Sequence, residues 1–182
     1  VDLWAKEGVD CSTVQRDPAA PTGIYFVTHG PAGHEFSYYR TGSAASLMRS
    51  ADLPEAAIRQ CRILHASGIS QAISGSACDA VFRAIEIAKE AGRLVAYDTN
   101  LRLRLWPVPR ARAVIHEAAR HADILLPGID DARALTGLAE PDAIADHYLA
   151  LGAKIVALTL GAEGALIATA ERRERLPAHR VD

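Results

Sequence analysis

Short apolar runs alternate with amphipathic helical segments from Asp52 onwards, and this alternation limits the possible folds more than any other feature. It is typical of a parallel β-sheet whose strands are connected by covering helices. The predicted strands span residues 62–69, 94–98, 123–126, 155–160 and 165–169, and the predicted helices span residues 76–91, 110–121, a short segment ending at Gly137, and 141–151. We therefore expect an α/β fold with a doubly wound sheet, whose ligands bind beyond the carboxyl ends of the strands.

A different pattern precedes this part of the chain. Two β-rich runs, 23–28 and 35–40, flank a Gly/Pro cluster at 30–33 and predict a hairpin. A hairpin alone is marginal in water, so it needs a second surface to pack on.

Tyr38 and Arg40 are two residues apart, so on a strand they share one face, and Tyr25 on the facing strand is expected to close the same surface. A guanidinium beside a tyrosine hydroxyl suits a hydroxylated anion. An exposed edge strand with ordinary surface residues is the alternative.

Two other motifs stand at predicted strand ends. Asp98-Thr99-Asn100-Leu101-Arg102 brings a carboxylate, an amide and a guanidinium to the binding edge, unless it is an Asp/Asn turn with a solvated arginine. The strand ending at Thr159 runs into Gly161-Ala162-Glu163-Gly164, where backbone N–H groups are able to approach a phosphate or nucleotide. A plain β-turn is the alternative there.

Several function classes lose support from the sequence. It has no dinucleotide-binding Gly-x-Gly-x-x-Gly and no Walker-type loop. The 20 basic and 22 acidic residues give a net charge of −2, which argues against a nucleic-acid partner. No apolar run approaches the roughly 18 residues of a membrane span, so no membrane partner is expected. Three widely spaced cysteines without a Cys-x-x-Cys motif indicate reduced thiols and a cytoplasmic location.

Taken in order, these segments resemble the ribokinase-like (PfkB) sugar kinases, and most closely the kinases of 2-keto-3-deoxygluconate. The similar segments cover nearly the whole chain and are residues 21–25, 38–46, 64–69, 98–106, 122–127, 135–137 and 159–164.

The resemblance implies ATP-dependent phosphorylation of the terminal hydroxyl of 2-keto-3-deoxygluconate. It implies a partial kinase domain over 1–182, with 22–42 in a small β-sheet lid and 53–182 in the α/β core, and an oligomer formed through the lid. The residues that it assigns to the sugar acid are Tyr25, Tyr38, Arg40 and Arg102; to ATP, Thr159, Gly161 and Gly164; and to Mg²⁺, through water, Asp131. This chain has Gly128 where the family's Asn-x-x-Glu motif has Asn, and Asp131 in place of the Glu.

The resemblance also implies that the chain is the central part of the domain. A Gly-Gly motif would precede Val1, and a Gly-Ala-Gly-Asp motif carrying the general base would follow Asp182. None of the residues assigned above is then a catalytic base, and the 182-residue chain is expected to be inactive alone. The alternatives are another sugar kinase, such as a fructokinase or a 5-dehydro-2-deoxygluconokinase, and a non-catalytic module that binds a nucleotide or a sugar acid.

Overall fold

Two separate β-sheets and a layer of helices make up the structure, a computed structural model that describes residues 1–30 and 33–179. The helices are α1 (Asp2–Lys6), α2 (Glu55–Gln60), α3 (Gly68–Ala72), α4 (Gly75–Glu90), α5 (Val108–His121), α6 (Ile129–Thr136) and α7 (Pro141–Leu151). The strands are β1 (Ile24–Gly30), β2 (Gly33–Tyr39), β3 (Ile63–Ser67), β4 (Leu94–Asp98), β5 (Ile124–Leu126), β6 (Ile155–Thr159), β7 (Ala165–Ala168) and β8 (Arg173–Leu176).

The larger sheet has six strands in the order β3-β4-β5-β6-β7-β8. Neighbouring strands from β3 to β6 are parallel, whereas β7 and β8 are antiparallel additions at the edge. The predicted α/β class, with a sheet dominated by parallel strands, is confirmed. The antiparallel orientation of β7 and the presence of β8 were not anticipated from the sequence.

The helices that connect the parallel strands cover one face of this sheet. Each crossover steps to the next strand in the same direction, and right-handed connections then bring α4, α5 and α7 to the same side. Side chains on that face are fully buried, among them Val95, Tyr97, Leu125, Val156 and Leu158. The main apolar core therefore lies between the sheet and this helical layer.

The opposite face of the sheet is apolar but only partly covered. Alternate residues of the same strands point there, and Ile63, Leu94 and Ile155 are 45%, 40% and 37% exposed. These three side chains lie near the amino ends of β3, β4 and β6.

Helix α4 follows its sequence signals except at the start. Val81, Ile85 and Ala88 form the buried stripe expected from their spacing. The spacing of Ser76 and Asp79 suggests a capping pair, but Ser74 is the N-cap, and its hydroxyl accepts a hydrogen bond from the Ala77 N–H at 3.0 Å. Helix α4 consequently begins one residue earlier than predicted.

The smaller sheet is the predicted hairpin. Strands β1 and β2 are antiparallel, and Tyr25 lies directly opposite Tyr38. Strand β1 ends at Gly30 and strand β2 begins at Gly33. Positions 31 and 32 of the predicted turn lie outside the described residues. All of β1 and residues 35–39 of β2 are exposed, so the hairpin contributes little to the core.

None of the helices in 1–30 and 33–179 is both long and apolar enough to cross a membrane.

Candidate functional site

A cavity of about 500 Å³ lies between the hairpin and helix α3, which begins directly after β3. Its walls include all four residues predicted to contact a sugar acid: Tyr25, Tyr38, Arg40 and Arg102. Tyr25, Tyr38 and Arg40 come from the hairpin and its C-terminal end, and Arg102 comes from the loop after β4. The remaining lining comes from other residues of the hairpin, from the segments flanking it, and from α3 with its C-terminal cap. The structure thus brings together residues that are up to 77 positions apart in the chain.

Tyr38 is at the centre of an aromatic cluster on the inner face of the hairpin. Its ring stacks on Phe36 with centroids 6.1 Å apart, and Tyr25 is 6.1 Å away across the strands. The Arg40 guanidinium carbon lies 4.2 Å from the Tyr38 ring centroid, a cation–π distance. Tyr38 and Arg40 share one face, as their spacing predicted, and the face is turned towards the cavity.

The loop after β4 is held by a network of short polar side chains. Asn100 donates from its side chain to the Ser67 hydroxyl at 3.0 Å and from its backbone to Asp98 at 3.1 Å. Asn100 also has φ +34°, a conformation that costs energy for a residue with a side chain. Residues 98–102 therefore form an Asp/Asn turn, which is one of the two structures that the sequence allows. The same turn places Arg102 in the wall of the cavity.

Asp131 stabilises this loop from the first turn of α6. One carboxylate oxygen accepts a hydrogen bond from the Leu101 N–H at 2.8 Å, directly beside Arg102. Burial raises the pKa of Asp131, against the lowering effects of the Leu101 N–H and Arg102. No cluster of three or more His, Cys, Asp or Glu side chains in the described part of the chain is arranged to hold a metal. The predicted role of Asp131 towards Mg²⁺ stays a prediction.

The three residues predicted to line an ATP site lie at the end of β6 and in the following turn. Thr159 is exposed, and its N–H donates to the Pro127 carbonyl. Gly161 has φ +61° with open space where a Cβ would project, so a ligand is able to approach its backbone. Gly164 differs, because a Cβ there would lie 1.9 Å from the Leu176 carbonyl oxygen. The chain's own backbone accounts for glycine at position 164.

One residue of the site was missed by sequence reasoning. Arg104 donates to the Phe36 carbonyl of β2 at 3.0 Å and helps line a second cavity of about 360 Å³ next to the first. The second cavity also contains Tyr38, Arg40, Arg102 and Asp131. No sequence signal pairs Arg104 with Phe36, since the two residues are 68 positions apart.

An α/β body with a small sheet facing a cavity that contains arginine and tyrosine side chains defines a class of small-molecule-binding proteins. The chain belongs to the pfkB family of carbohydrate kinases, whose family model matches residues 1–181.

Curated relatives agree with the family. The chain is 37% identical over 180 residues to 2-dehydro-3-deoxygluconokinase of Bacillus subtilis (strain 168), covering 97% of this chain and 56% of that protein. It is 38% identical over 172 residues to the enzyme of the same name from Thermoproteus tenax, covering 92% and 52%. Probable fructokinase-5 of Arabidopsis thaliana is 34% identical over 184 residues, with coverage of 100% and 56%. The chain therefore spans about half the length of these relatives.

Solved structures give the same result. A PfkB protein from Polaromonas sp. JS666 matches with a TM-score of 0.92 at 39% identity, over 99% of this chain and 62% of that one. An E. coli protein solved with ATP and Mg²⁺ matches with a TM-score of 0.89 at 25% identity, over 100% and 58%. The predicted ribokinase-like fold is confirmed.

Proposed function

We propose that the intact protein containing this chain transfers the γ-phosphoryl group of ATP to the terminal hydroxyl of 2-keto-3-deoxygluconate. The observation that carries the proposal is the cavity lined by Tyr25, Tyr38, Arg40 and Arg102. Two guanidiniums and two phenol groups suit an acid that also carries several hydroxyls. The two 2-dehydro-3-deoxygluconokinases among the relatives support the same substrate.

The order of the strands supports phosphoryl transfer. Arg102 follows β4, Asp131 follows β5 and Thr159 ends β6, so the groups proposed for sugar, metal and nucleotide stand on three successive strands. Adjacent strands are about 4.8 Å apart, which separates the sugar and nucleotide ends by about 10 Å. A triphosphate chain is able to bridge that distance, and in-line positioning supplies much of the catalysis in such reactions.

The residues present are compatible with ATP and Mg²⁺. Thr159 offers an exposed strand end for the nucleotide, and Gly161 offers an open backbone. Gly164 would shape the turn. Mg²⁺ is commonly held by one or two carboxylates together with substrate phosphates, and Asp131 would act on it through water. The ion would neutralise charge on the phosphates during transfer. We assign no general base to the residues named here.

A fructokinase activity is the second candidate, because fructokinases also occur among the relatives. A neutral sugar gives Arg40 and Arg102 no carboxylate to pair with, so the arginines favour the acid. A 5-dehydro-2-deoxygluconokinase activity and a non-catalytic binding role are the remaining alternatives.

The deciding experiment is a coupled ADP-release assay of the intact protein with 2-keto-3-deoxygluconate, 5-dehydro-2-deoxygluconate and fructose. We expect the first to have the highest kcat/KM. Arg40→Met should lower that kcat/KM by a factor equivalent to roughly 1.5–3 kcal/mol of transition-state stabilisation, the range for a hydrogen bond to a charged group. The KM for ATP should stay nearly unchanged, as should all constants of the surface control Arg120→Met. An equal loss for fructose and for the acid would rule out carboxylate recognition by Arg40.

We also propose that the intact protein forms an oligomer through the outer face of the hairpin. Ile24, Phe26 and Tyr39 are all more than half exposed on that face, and Phe26 packs edge-on against Tyr39. Apolar area of this kind favours a partner surface. Light scattering should give a smaller mass for Phe26→Lys than for the control Ala170→Lys, whose site is an exposed turn. Equal masses would disprove the interface.

A further inference from the structure

Arg104 connects the body of the molecule to the hairpin. Its guanidinium donates one hydrogen bond to the Phe36 carbonyl, 3.0 Å away, and its central carbon lies 5.9 Å from the centroid of the Tyr38 ring. The Arg40 guanidinium approaches the same ring to 4.2 Å. Arg104 thus contacts the strand that carries Tyr38 and leads directly into Arg40.

The backbone on either side of Arg104 is fixed to the body. Leu101 is buried, and its N–H is bound by Asp131. The Leu105 N–H donates to the Arg102 carbonyl at 2.8 Å, which closes a turn around Arg104, and Trp106 is buried just beyond it. The side chain therefore extends from a rigid base, whereas β1 and residues 35–39 of β2 are exposed and the two strands contact mainly each other.

Arg104 is not among the residues that line the larger cavity. It lines the 360 Å³ cavity but not the 500 Å³ cavity that holds Tyr25, Tyr38, Arg40 and Arg102. One of its N–H groups is already engaged by a backbone carbonyl of the hairpin. The position of Arg104 is therefore better suited to holding the hairpin in place than to binding the ligand.

We propose that Arg104 is a positioning residue, which holds the hairpin over the larger cavity and so sets how Tyr38 and Arg40 meet the sugar. The inference rests on the proposed function for its effect on substrate, but the contact itself is independent of it. Because the hydrogen bond is exposed, its loss should change the hairpin locally and leave global stability nearly unchanged.

The first test measures hydrogen exchange of the intact protein without ligand. We expect Arg104→Met to speed amide exchange in peptides covering residues 24–30 and 33–39 by about threefold to tenfold, with the peptides of α4 and β4 unchanged. Arg104→Lys, which keeps a charged donor, should restore part of the protection. The matched control is Arg120→Met, which removes an exposed arginine of α5 that pairs only loosely with Glu117 at 3.6 Å. Unchanged exchange in the hairpin of Arg104→Met would overturn the inference, whatever the protein's activity.

The second test separates positioning from direct recognition. Arg104→Met should raise the KM for 2-keto-3-deoxygluconate and for a neutral sugar by the same factor, roughly fivefold, because a misplaced hairpin impairs both. Arg40→Met should impair the acid alone. A loss confined to the acid in Arg104→Met would assign Arg104 to the carboxylate and overturn the inference. If the wild-type protein phosphorylates no sugar, the proposed function fails, and the exchange experiment still decides the role of Arg104.

Discussion

At the scale of single residues, Asp123 shows how a buried charge is accommodated at the start of β5. Its carboxylate accepts hydrogen bonds from the Val95 N–H at 2.9 Å, from Lys89 at 3.1 Å and from Lys154 at 2.9 Å. Burial alone would raise the pKa of Asp123, but the hydrogen bonds from Lys154, the Val95 N–H and Lys89 outweigh it and lower the pKa. This one side chain therefore joins α4, β4 and the start of β6.

We predict that Asp123→Ala lowers the free energy of unfolding by about 2–4 kcal/mol. The change leaves the Val95 N–H without its hydrogen-bond partner. It also leaves the ammonium groups of Lys89 and Lys154 close together without the carboxylate between them. The control is Asp142→Ala, which breaks exposed pairs with Arg173 and Arg175 and should cost less than about 1 kcal/mol. Urea denaturation of the intact variants measures both, and equal losses would contradict the role given to Asp123.

His116 on α5 faces His147 and Tyr148 on α7, with ring centroids 5.3 Å and 5.9 Å away. Its Nε2 atom is buried and has no hydrogen-bond partner among the described residues. Burial, and then the nearby His147, Arg112 and Arg120, lower the pKa of His116 to about 4 from an ordinary 6.5. The neutral imidazole is therefore the form that the helix pair accommodates.

We predict that His116 makes the protein less stable in mild acid. The pKa of His116 is lower in the folded protein than in the unfolded chain. The stability that depends on the neutral imidazole is therefore fully present above the unfolded pKa of about 6.5, and it is lost as the pH drops from there towards 4. Thermal unfolding at pH 7 and pH 5 should show a smaller loss in Tm for His116→Gln than for the wild type. An identical loss in both would show that His116 does not carry the effect.

At the scale of elements, the sequence predicts those that have clear local boundaries. Strand β4 and helix α7 have the predicted bounds, since Asp98 follows a compact apolar run and Gly152 follows a helical stripe. Strand β8 was missed because its Arg-Glu-Arg-Leu sequence lacks apolar alternation. Its pairing depends on β7 and on ion pairs between Arg173 and α7, which are not visible locally. The same limit hid Arg104, whereas Tyr38 and Arg40 were found because their spacing alone places them on one face.

The turn between β6 and β7 allows a matched pair of glycine substitutions. Gly164→Ala should destabilise the protein by more than about 3 kcal/mol, because its Cβ would overlap the Leu176 carbonyl oxygen, with 1.9 Å between them. Gly161→Ala meets open space and should cost only about 1–2 kcal/mol for its left-handed backbone. If Gly161 approaches the nucleotide, Gly161→Ala should also raise the KM for ATP more than that for the sugar acid. A loss of stability with both KM values intact would leave Gly161 as a plain turn residue.

At the scale of the whole molecule, the described residues cover one face of the larger sheet with helices and leave part of the other face exposed. Helices α4, α5 and α7 seal one face of the six-stranded sheet, whereas Ile63, Leu94 and Ile155 remain open on the other. The chain also spans only about half the length of its curated relatives. The residues proposed to bind the sugar and those proposed to bind the nucleotide are all in this chain. Ligand binding by the chain can therefore be measured separately from catalysis.

We predict that the 182-residue chain, produced alone, releases no ADP above background even where it folds. None of the residues named here is proposed as the general base, and general acid–base catalysis contributes typically 10²–10⁴-fold. The open sheet face should make the isolated chain bind an apolar dye and associate at micromolar concentration, and the intact protein should do neither. Coupled ADP release, dye fluorescence and light scattering on both proteins test this. Sugar-dependent ADP release by the 182-residue chain would mean that a residue described here, with Asp130 and Asp131 in the cavity wall the first to examine, takes the proton of the attacking hydroxyl.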